Sequence, residues 1–478
     1  MSNTNTIQAQ NEQKYVGKSE FVFYLMAVFF YTMMTGMVGG FKNAYLVNVL
    51  VLDREIISVY NTILSIAGFV TSFFTAMYID GRKPSAKGKF RPLGTFVAIP
   101  MAVATVLTFI APKGLSTTLL LIYLVTVGIT QSVCSQFGNV FNLVSFVMSP
   151  NSKERDQVIS FRSISSAVGN SAPQVVVLVI GFMTNSEQIQ YIISAAICGV
   201  VGAITMLIGM KMIKERTVYS QEKKNPLLGF KDILTNKYAW VIIVSEFLKN
   251  FRGIANYMGI FLAAALLGST SKFLLFGLPT GIGTAVGMLI INALLKKFNA
   301  KQLYIASGIY SVCINTAAFT VGYMYFNNPT TIMQVIFIVF LFLIGLQFGA
   351  SNLLPLMFQA DVLETIELKT GKRLDASLPF VLSIGTTISG TIAGAAAPLI
   401  LLGEDSIIKY MQPEDGVYPE QSTYTKIAML FFYTIFHGLM MLLAGLPFLF
   451  YKLTGKTKDD IHEAVLKQRA EMAEQQDA

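Results

Sequence analysis

Two bases and one acid interrupt an apolar stretch, EFLKNFRGIANY, where Glu246, Lys249, Asn250, Gly253 and Tyr257 fall on one face of a helix with Arg252 further round. At i,i+3 Glu246 and Lys249 can neutralise each other, which lowers the cost of keeping both away from water. The pair could bind a solute or carry a coupling proton. It could equally be a structural ion pair, or Lys249 could reach the interface along its own stem. A second constellation, Gln131, Ser135, Gly138, Asn139 and Asn142, follows i, i+4, i+7, i+8 and i+11 and so lines one helical face. Thr32, Thr35, Gly36, Gly39, Lys42 and Asn43 make a comparable stripe, as do Arg162, Ser165, Ser166, Gly169 and Pro173, and Asn352, Pro355 and Gln359. Amides and hydroxyls both donate and accept, which suits a neutral polyhydroxy solute. Hydrogen bonding between helices is the competing use of the same groups. For the stripe from Gln131 to Asn142 the expectation is a water-filled cavity.

These groups need elements that hold them at membrane depth. A span takes about 20 apolar residues. Runs of that kind occur at 21–49, 56–79, 93–111, 116–148, 158–184 and 189–213, then at 239–268, 272–295, 303–325, 331–358, 377–402 and 427–451. The fold class expected is an all-α polytopic membrane protein with twelve transmembrane helices in two six-helix bundles. The bundles occupy 21–213 and 239–451, joined by a polar linker at 214–238 and flanked by tails at 1–20 and 452–478. Gly36, Gly39 and Gly40, and later Gly385, Gly390 and Gly394, are expected to let helices approach closely. The tail from Lys456 reads as a short charged helix with no role beyond solubility.

Composition closes off other classes. Of 478 residues, 53% are hydrophobic and 13% charged, against about 25% charged in soluble domains. A soluble protein this poor in charge could not cover its surface, so a two-domain soluble enzyme, a disordered chain and a disulfide scaffold are excluded. Cys134, Cys198 and Cys313 all lie in apolar runs, and with only His437 and His462 no zinc site is expected. The first 19 residues are polar, so no removable signal peptide is expected. The net charge of +9 is a matter of topology. Lys42, Arg162, Lys249 and Arg252 lie within spans. Arg54, Lys113, Lys272, Lys409 and Lys426 lie in the loops of one side, and every other basic residue lies on the side of both termini. By the positive-inside rule that side is cytoplasmic, and no nucleic-acid partner is called for.

Three stretches resemble the glycoside–pentoside–hexuronide:cation symporters: GKFRP at 88–92, KERDQVISFRS at 153–163 and ADVLETIELKTGKR at 360–373. Their spacing along a twelve-span chain carries the resemblance, which implies the major facilitator fold around a central cavity. It also implies a gating role for charged loops: Asp80, Arg82, Lys83, Lys89 and Arg91 in one half, and Asp361, Glu364 and Glu367 against Lys369, Lys372 and Arg373 in the other. Solvated topology charge is the alternative. The third stretch looks like the loop between the tenth and eleventh helices.

The sequence departs from the family where the family binds its cation and galactoside. The second-helix carboxylates align near Gly68 and Ser72, in a span without acid. The fourth-helix aspartate aligns near Gly138 or Asn139, the first-helix aspartate near Thr32, and the eleventh-helix lysine near Thr387. The galactoside-stacking tryptophans align near Asn142 and Asn352, while Arg162 keeps the family's arginine. Hard cations want several oxygen ligands, carboxylates among them, so the usual Na⁺ site is expected to be degraded.

The expected substrate-binding residues are thus Thr32, Lys42, Gln131, Ser135, Asn139, Asn142, Arg162, Lys249, Asn352 and Thr387. Glu246 is the coupling residue, and Asp80, Arg82, Arg91, Asp361, Glu364 and Arg373 are the gating set. The expected function is secondary active transport of a sugar, glycoside or related small organic solute across the plasma membrane, as a symporter. The alternative is a facilitator or proton-coupled carrier of a less polar solute; a channel or receptor is the other class. No catalytic motif, cofactor or metal is expected. The partners are a small-molecule substrate, membrane lipid and a coupling proton or cation, and the chain is expected to be a monomer.

Overall fold

The computed structural model describes residues 14–81, 85, 88–112, 114–149, 151–216, 230–327, 329–370, 377–414, 417–458, 460–461, 463–465 and 467–468. Helices dominate. α1 (Lys18–Ala44) runs on through a π-helical turn at Tyr45–Val49, followed by α2 (Arg54–Gly81), α3 (Arg91–Leu107), α4 (Thr117–Gly138), α5 (Ser152–Gly181) and α6 (Glu187–Met212). The second set is α7 (Lys237–Asn250), α8 (Gly253–Leu267), α9 (Leu274–Leu294), α10 (Ala300–Asn327), α11 (Thr331–Thr370), α12 (Ser377–Leu401), α13 (Thr423–Phe431) and α14 (His437–Gly445). Among the described residues, 10 helical stretches are long and apolar enough to cross a membrane. Two expected spans fall short of that length: α3 has 17 residues, and the seventh is broken at Phe251–Arg252 into α7 and α8. The starts are set by side chains that occupy free amides, as Ser116, Asn151, Ser186, Asn236 and Ser422 do at α4, α5, α6, α7 and α13.

The chain forms two compact units, Met1–Lys223 with Gln412–Pro419, and Lys224–Met411 with Glu420–Ala478. In the first, α1 crosses α5 at glycine. A Cβ on Gly36 would lie 2.4 Å from the carbonyl oxygen of Asn170, and one on Gly169 2.3 Å from that of Phe29. Gly39 and Gly40 meet nothing within 4 Å, so of the three glycines expected to pack in the first span only Gly36 does. The segment after α12 contributes to this unit too. Gln412 donates to the carbonyls of Val47 (2.9 Å) and Leu52 (3.1 Å), and Tyr418 donates to Glu187 (2.5 Å) while accepting from Asn48 (3.1 Å).

Charged motifs of the first unit cap its own chain. Glu215 accepts the amides of Lys89 (2.8 Å), Phe90 (2.9 Å) and Arg91 (2.8 Å), which lie free at the start of α3. Gly88 turns there at φ +99°, and a Cβ would strike the Glu215 carboxylate at 2.5 Å, so GKFRP and the distant Glu215 form one device. Glu20 grips Arg216 through two oxygens (2.6 and 2.9 Å). Glu154 accepts from Ser149 (2.6 Å) and from the amides of Tyr15 and Val16 (3.0 and 3.1 Å).

In the second unit α9 and α11 run backbone to backbone. A Cβ on Gly287 would lie 2.2 Å from the Leu346 carbonyl oxygen, and one on Gly349 2.4 Å from Gly287 and Met288. Tyr304, Phe358, Phe448 and Tyr451 pack ring against ring at one end of this unit's core. α11 continues to Thr370, so Asp361, Glu364 and Glu367 lie on helix where a loop was expected. Asp361 is held by Lys458 (2.7 Å) and Tyr451 (3.4 Å), and Val465 is 1% exposed. The tail therefore docks on its unit, which corrects the expectation that it only solubilises.

Candidate functional site

The expected face from Gln131 to Asn142 is not one continuous helix. α4 ends at Gly138, Asn139 forms its C-cap, and Asn142 lies in a separate turn, Val140–Leu143. Backbone carbonyls at membrane depth cannot turn to water, and beside the Asn139 N–H bond to Ser135 (3.2 Å) and the Ser145 hydroxyl bond to Asn142 (2.7 Å), three polar side chains add further bonds there. Tyr31 donates to the carbonyl of Ser135 (2.9 Å), Tyr24 to that of Phe141 (2.9 Å) and Arg162 to that of Asn142 (3.0 Å). Tyr31 also reaches the Asn139 amide oxygen (3.3 Å), which accepts from Asn142 Nδ2 (3.4 Å).

The geometry thus joins Ser135, Asn139, Asn142 and Arg162 and adds Tyr24 and Tyr31, which the sequence reading missed. Both tyrosines stand seven residues apart in an apolar run and look like core. Their buried hydroxyls opposite an amide-rich stripe were the available signal. Arg162 has unused capacity: its Nε is buried without a partner, and its guanidinium lies 5.9 Å from the Phe146 ring. Gln131 is 5% exposed with an unpartnered amide oxygen.

Other expected residues of this unit stand apart from that cluster. Thr32 spends its hydroxyl on the carbonyls of Val28 and Phe29 (3.0 Å each). Lys42 donates to Asn61 Oδ1 at 3.4 Å and lies 5.0 Å from the Tyr60 ring centre.

In the second unit the Glu246–Lys249 pair forms at 2.5 Å, with the two side chains 14% and 12% exposed. Because the helix breaks after Asn250, Gly253 and Tyr257 belong to α8 and not to the helix that carries Glu246 and Lys249, which corrects the reading of one continuous helix. Lys249 also approaches the Ser351 carbonyl (3.5 Å), and Asn250 donates to that of Thr386 (2.7 Å). Arg252, at the break, stacks 4.9 Å from the Phe348 ring centre, and that ring meets His437 edge-on at 4.9 Å. Thr387 spends its hydroxyl on Ser383 (2.7 Å), and Asn352 is exposed.

The gating residues divide differently from the expectation. Arg91 donates to the carbonyls of Met210 (2.9 Å) and Lys211 (3.0 Å), inside its own unit. Asp361 is engaged by Lys458, also in its own unit. Glu364 lies on α11. Arg82, Arg373 and the Asp80 side chain lie outside the described residues.

The family model described as MFS/sugar transport protein matches residues 23–455. A putative glycoside/cation symporter, YagG of Escherichia coli, is 24% identical over 94% of this chain and 92% of its own length. A putative sulfoquinovose importer of Salmonella typhimurium is 24% identical over 71% of this chain and 72% of its own. Among solved structures, the xylose transporter XylE of E. coli in an inward-open conformation superposes with a TM-score of 0.62. It covers 93% of this chain and 99% of that one at 12% identity. The likeness in structure establishes the major facilitator fold.

Proposed function

The chain belongs to the MFS/sugar transport protein family, and from that premise we propose that it is a secondary active carrier moving a sugar, glycoside or related small organic solute across the cell membrane by alternating access. The observation that carries this reading is the polar chain Tyr31–Asn139–Asn142–Arg162 at the break in the fourth span. Donors and acceptors gather there at a break in a membrane helix, where each costs free energy unless it is paired or faces water. Relatives named as a symporter and an importer support the same reading. Both termini are cytoplasmic in it, on the strength of the basic-residue asymmetry.

Arg162, Asn139, Asn142, Ser135 and Gln131 contact solute in this scheme, with Lys249, Lys42 and Asn352 as further contacts. Thr32 and Thr387 take part through their carbonyl-bonded hydroxyls, each of which keeps a lone pair for a donor. Coupling is to protons through Glu246, because the positions aligned with the family's second-helix acids are Gly68 and Ser72, neither of which supplies a carboxylate to a hard cation. A facilitator is the second reading, favoured by the closed Glu246–Lys249 pair. The charged gating residues form and break ion pairs during the cycle, and the carrier acts as a monomer. Purified protein in liposomes tests the proposal. Saturable uptake with counterflow is expected, whereas rapid flux that does not saturate would identify a channel.

A further inference from the structure

One end of the second unit, cytoplasmic in the proposed topology, sets unopposed positive charge beside exposed aromatic rings. No Asp or Glu occurs between residues 247 and 360 or between 421 and 458, so α9, α10 and the twelfth span bring no acid of their own to this end. They do bring Lys296, Lys297, Lys301 and, just past the span, Lys452. Asp361, the first acid after the longer of those stretches, is engaged by Lys458. Among the described residues none of the four lysines has a carboxylate partner.

The turn that carries three of these lysines is fixed by its own side chains. α9 ends at Leu294 and α10 starts at Ala300. Between them Asn299 accepts from the Gln302 main-chain N–H (2.8 Å) while the Gln302 side chain accepts from that of Asn299 (3.3 Å), a reciprocal cap. Lys301 reaches from this turn to the end of the twelfth span and donates to the carbonyls of Leu449 (3.1 Å) and Tyr451 (2.9 Å). An ammonium has three N–H groups, so one remains, with the full charge. Those two carbonyls flank Phe450, which is 77% exposed, and Phe298 on the turn is 48% exposed.

Topology charge accounts for the number of lysines here but not for this arrangement. A lysine needed only for its sign would run its stem out to water, whereas Lys301 is pinned by two carbonyls at an apolar rim. Soluble phosphate would answer the charge and leave the rings bare. A lipid phosphate arrives with acyl chains that cover them. We propose that this rim binds an anionic glycerophospholipid, its phosphate among the four lysines and its acyl chains along Phe298 and Phe450. The site is independent of the transported solute.

Quenching by brominated lipid tests this in the full-length chain. Trp240 is the single tryptophan, so Trp240→Phe with Phe298→Trp gives one reporter at the rim. In phosphatidylcholine vesicles, brominated phosphatidylglycerol is expected to quench it with a binding constant roughly tenfold above that of brominated phosphatidylcholine. Tyr323→Trp in the same background, an exposed position at the other end of α10, should give a ratio near one. Lys296→Gln/Lys297→Gln/Lys452→Gln, all at exposed positions, should bring the rim reporter close to one as well. A ratio near one at the rim with the lysines intact, equal ratios at both reporters, or a ratio that survives the lysine substitutions overturns the assignment. So does loss of the preference to added inorganic phosphate at constant ionic strength, which would mark a site for soluble phosphate. If Trp240→Phe does not fold, thermal unfolding of the unaltered chain decides. Phosphatidylglycerol should raise its melting temperature more than phosphatidylcholine does, and the lysine variant should lose the excess; no excess, or one that the variant keeps, refutes the site.

Discussion

Arg162 donates from Nη1 to the main-chain carbonyl of Asn142, 3.0 Å away, at the point where the fourth span stops being a continuous helix. One contact therefore serves both uses weighed for this arginine. It adds a bond to the backbone at the break, and it holds beside the asparagines a guanidinium with a free Nε. Arg162→Lys keeps the charge but loses the fork. We expect a tenfold or greater loss of apparent affinity for solute, with a destabilisation of only about 1 kcal/mol, because the Asn142 carbonyl keeps its bond from the Ser145 hydroxyl (2.7 Å). Uptake assays and thermal unfolding separate the two effects; unchanged affinity would mark Arg162 as structural only.

Glu246→Gln should cost stability by about 3–5 kcal/mol, because Lys249 is left buried without its counter-ion. Glu246→Gln/Lys249→Met removes both charges and should recover most of that loss. Neither variant should accumulate solute under a proton gradient if Glu246 carries the coupling proton. Strong accumulation by wild type driven by a Na⁺ gradient alone would refute the reading of a degraded Na⁺ site.

Topology is open to a direct test. Lys231 and Lys272 are both exposed and are expected on opposite sides of the membrane. With the native cysteines replaced, a cysteine at position 231 should react with impermeant reagent only from the cytoplasmic side and one at 272 only from outside. Labelling of both from one face contradicts the assignment.

The Glu154 carboxyl should respond to acid. Burial pushes its pKa up, but hydrogen bonds from Ser149 and from the amides of Tyr15 and Val16, together with the Arg216 charge, outweigh that and hold it below its ordinary value of 4.5. A carboxyl depressed in the folded state stabilises fully above its unfolded pKa, and that contribution is lost as pH falls through the lower folded value. Hydrogen exchange at Tyr15 and Val16 should therefore show reduced protection in that acid window. Glu154→Gln should flatten the pH dependence; an unaltered profile in that variant would assign it to another group.

The spans were legible because lipid demands long apolar runs, and each expected run has a helical counterpart. The breaks were not. Phe251 and Arg252 carry no proline or glycine pair to announce an interruption, and Gly138–Asn139 is ordinary within a helix pattern. Periodicity counted through those points ran Gly253 and Tyr257 on from α7, whereas they belong to α8. The polar stripe of the fourth span was readable from its spacing, but the partners that satisfy its backbone came from α1 and α5. Contacts between helices distant in sequence leave no trace in spacing along one helix. The same limit hid Glu215, which caps α3 from more than a hundred residues away.

The eight residues from Gln412 to Pro419 pack with the first unit although they are encoded within the second. A fragment ending at Lys223 leaves the carbonyls of Val47 and Leu52, and one oxygen of Glu187, without the groups that bond them here. The gene therefore has no clean midpoint. A chimera that exchanges only the leading half with a relative's would set a foreign surface against native Gln412 and Tyr418, and transplanting that short stretch along with the half is what would keep the graft matched.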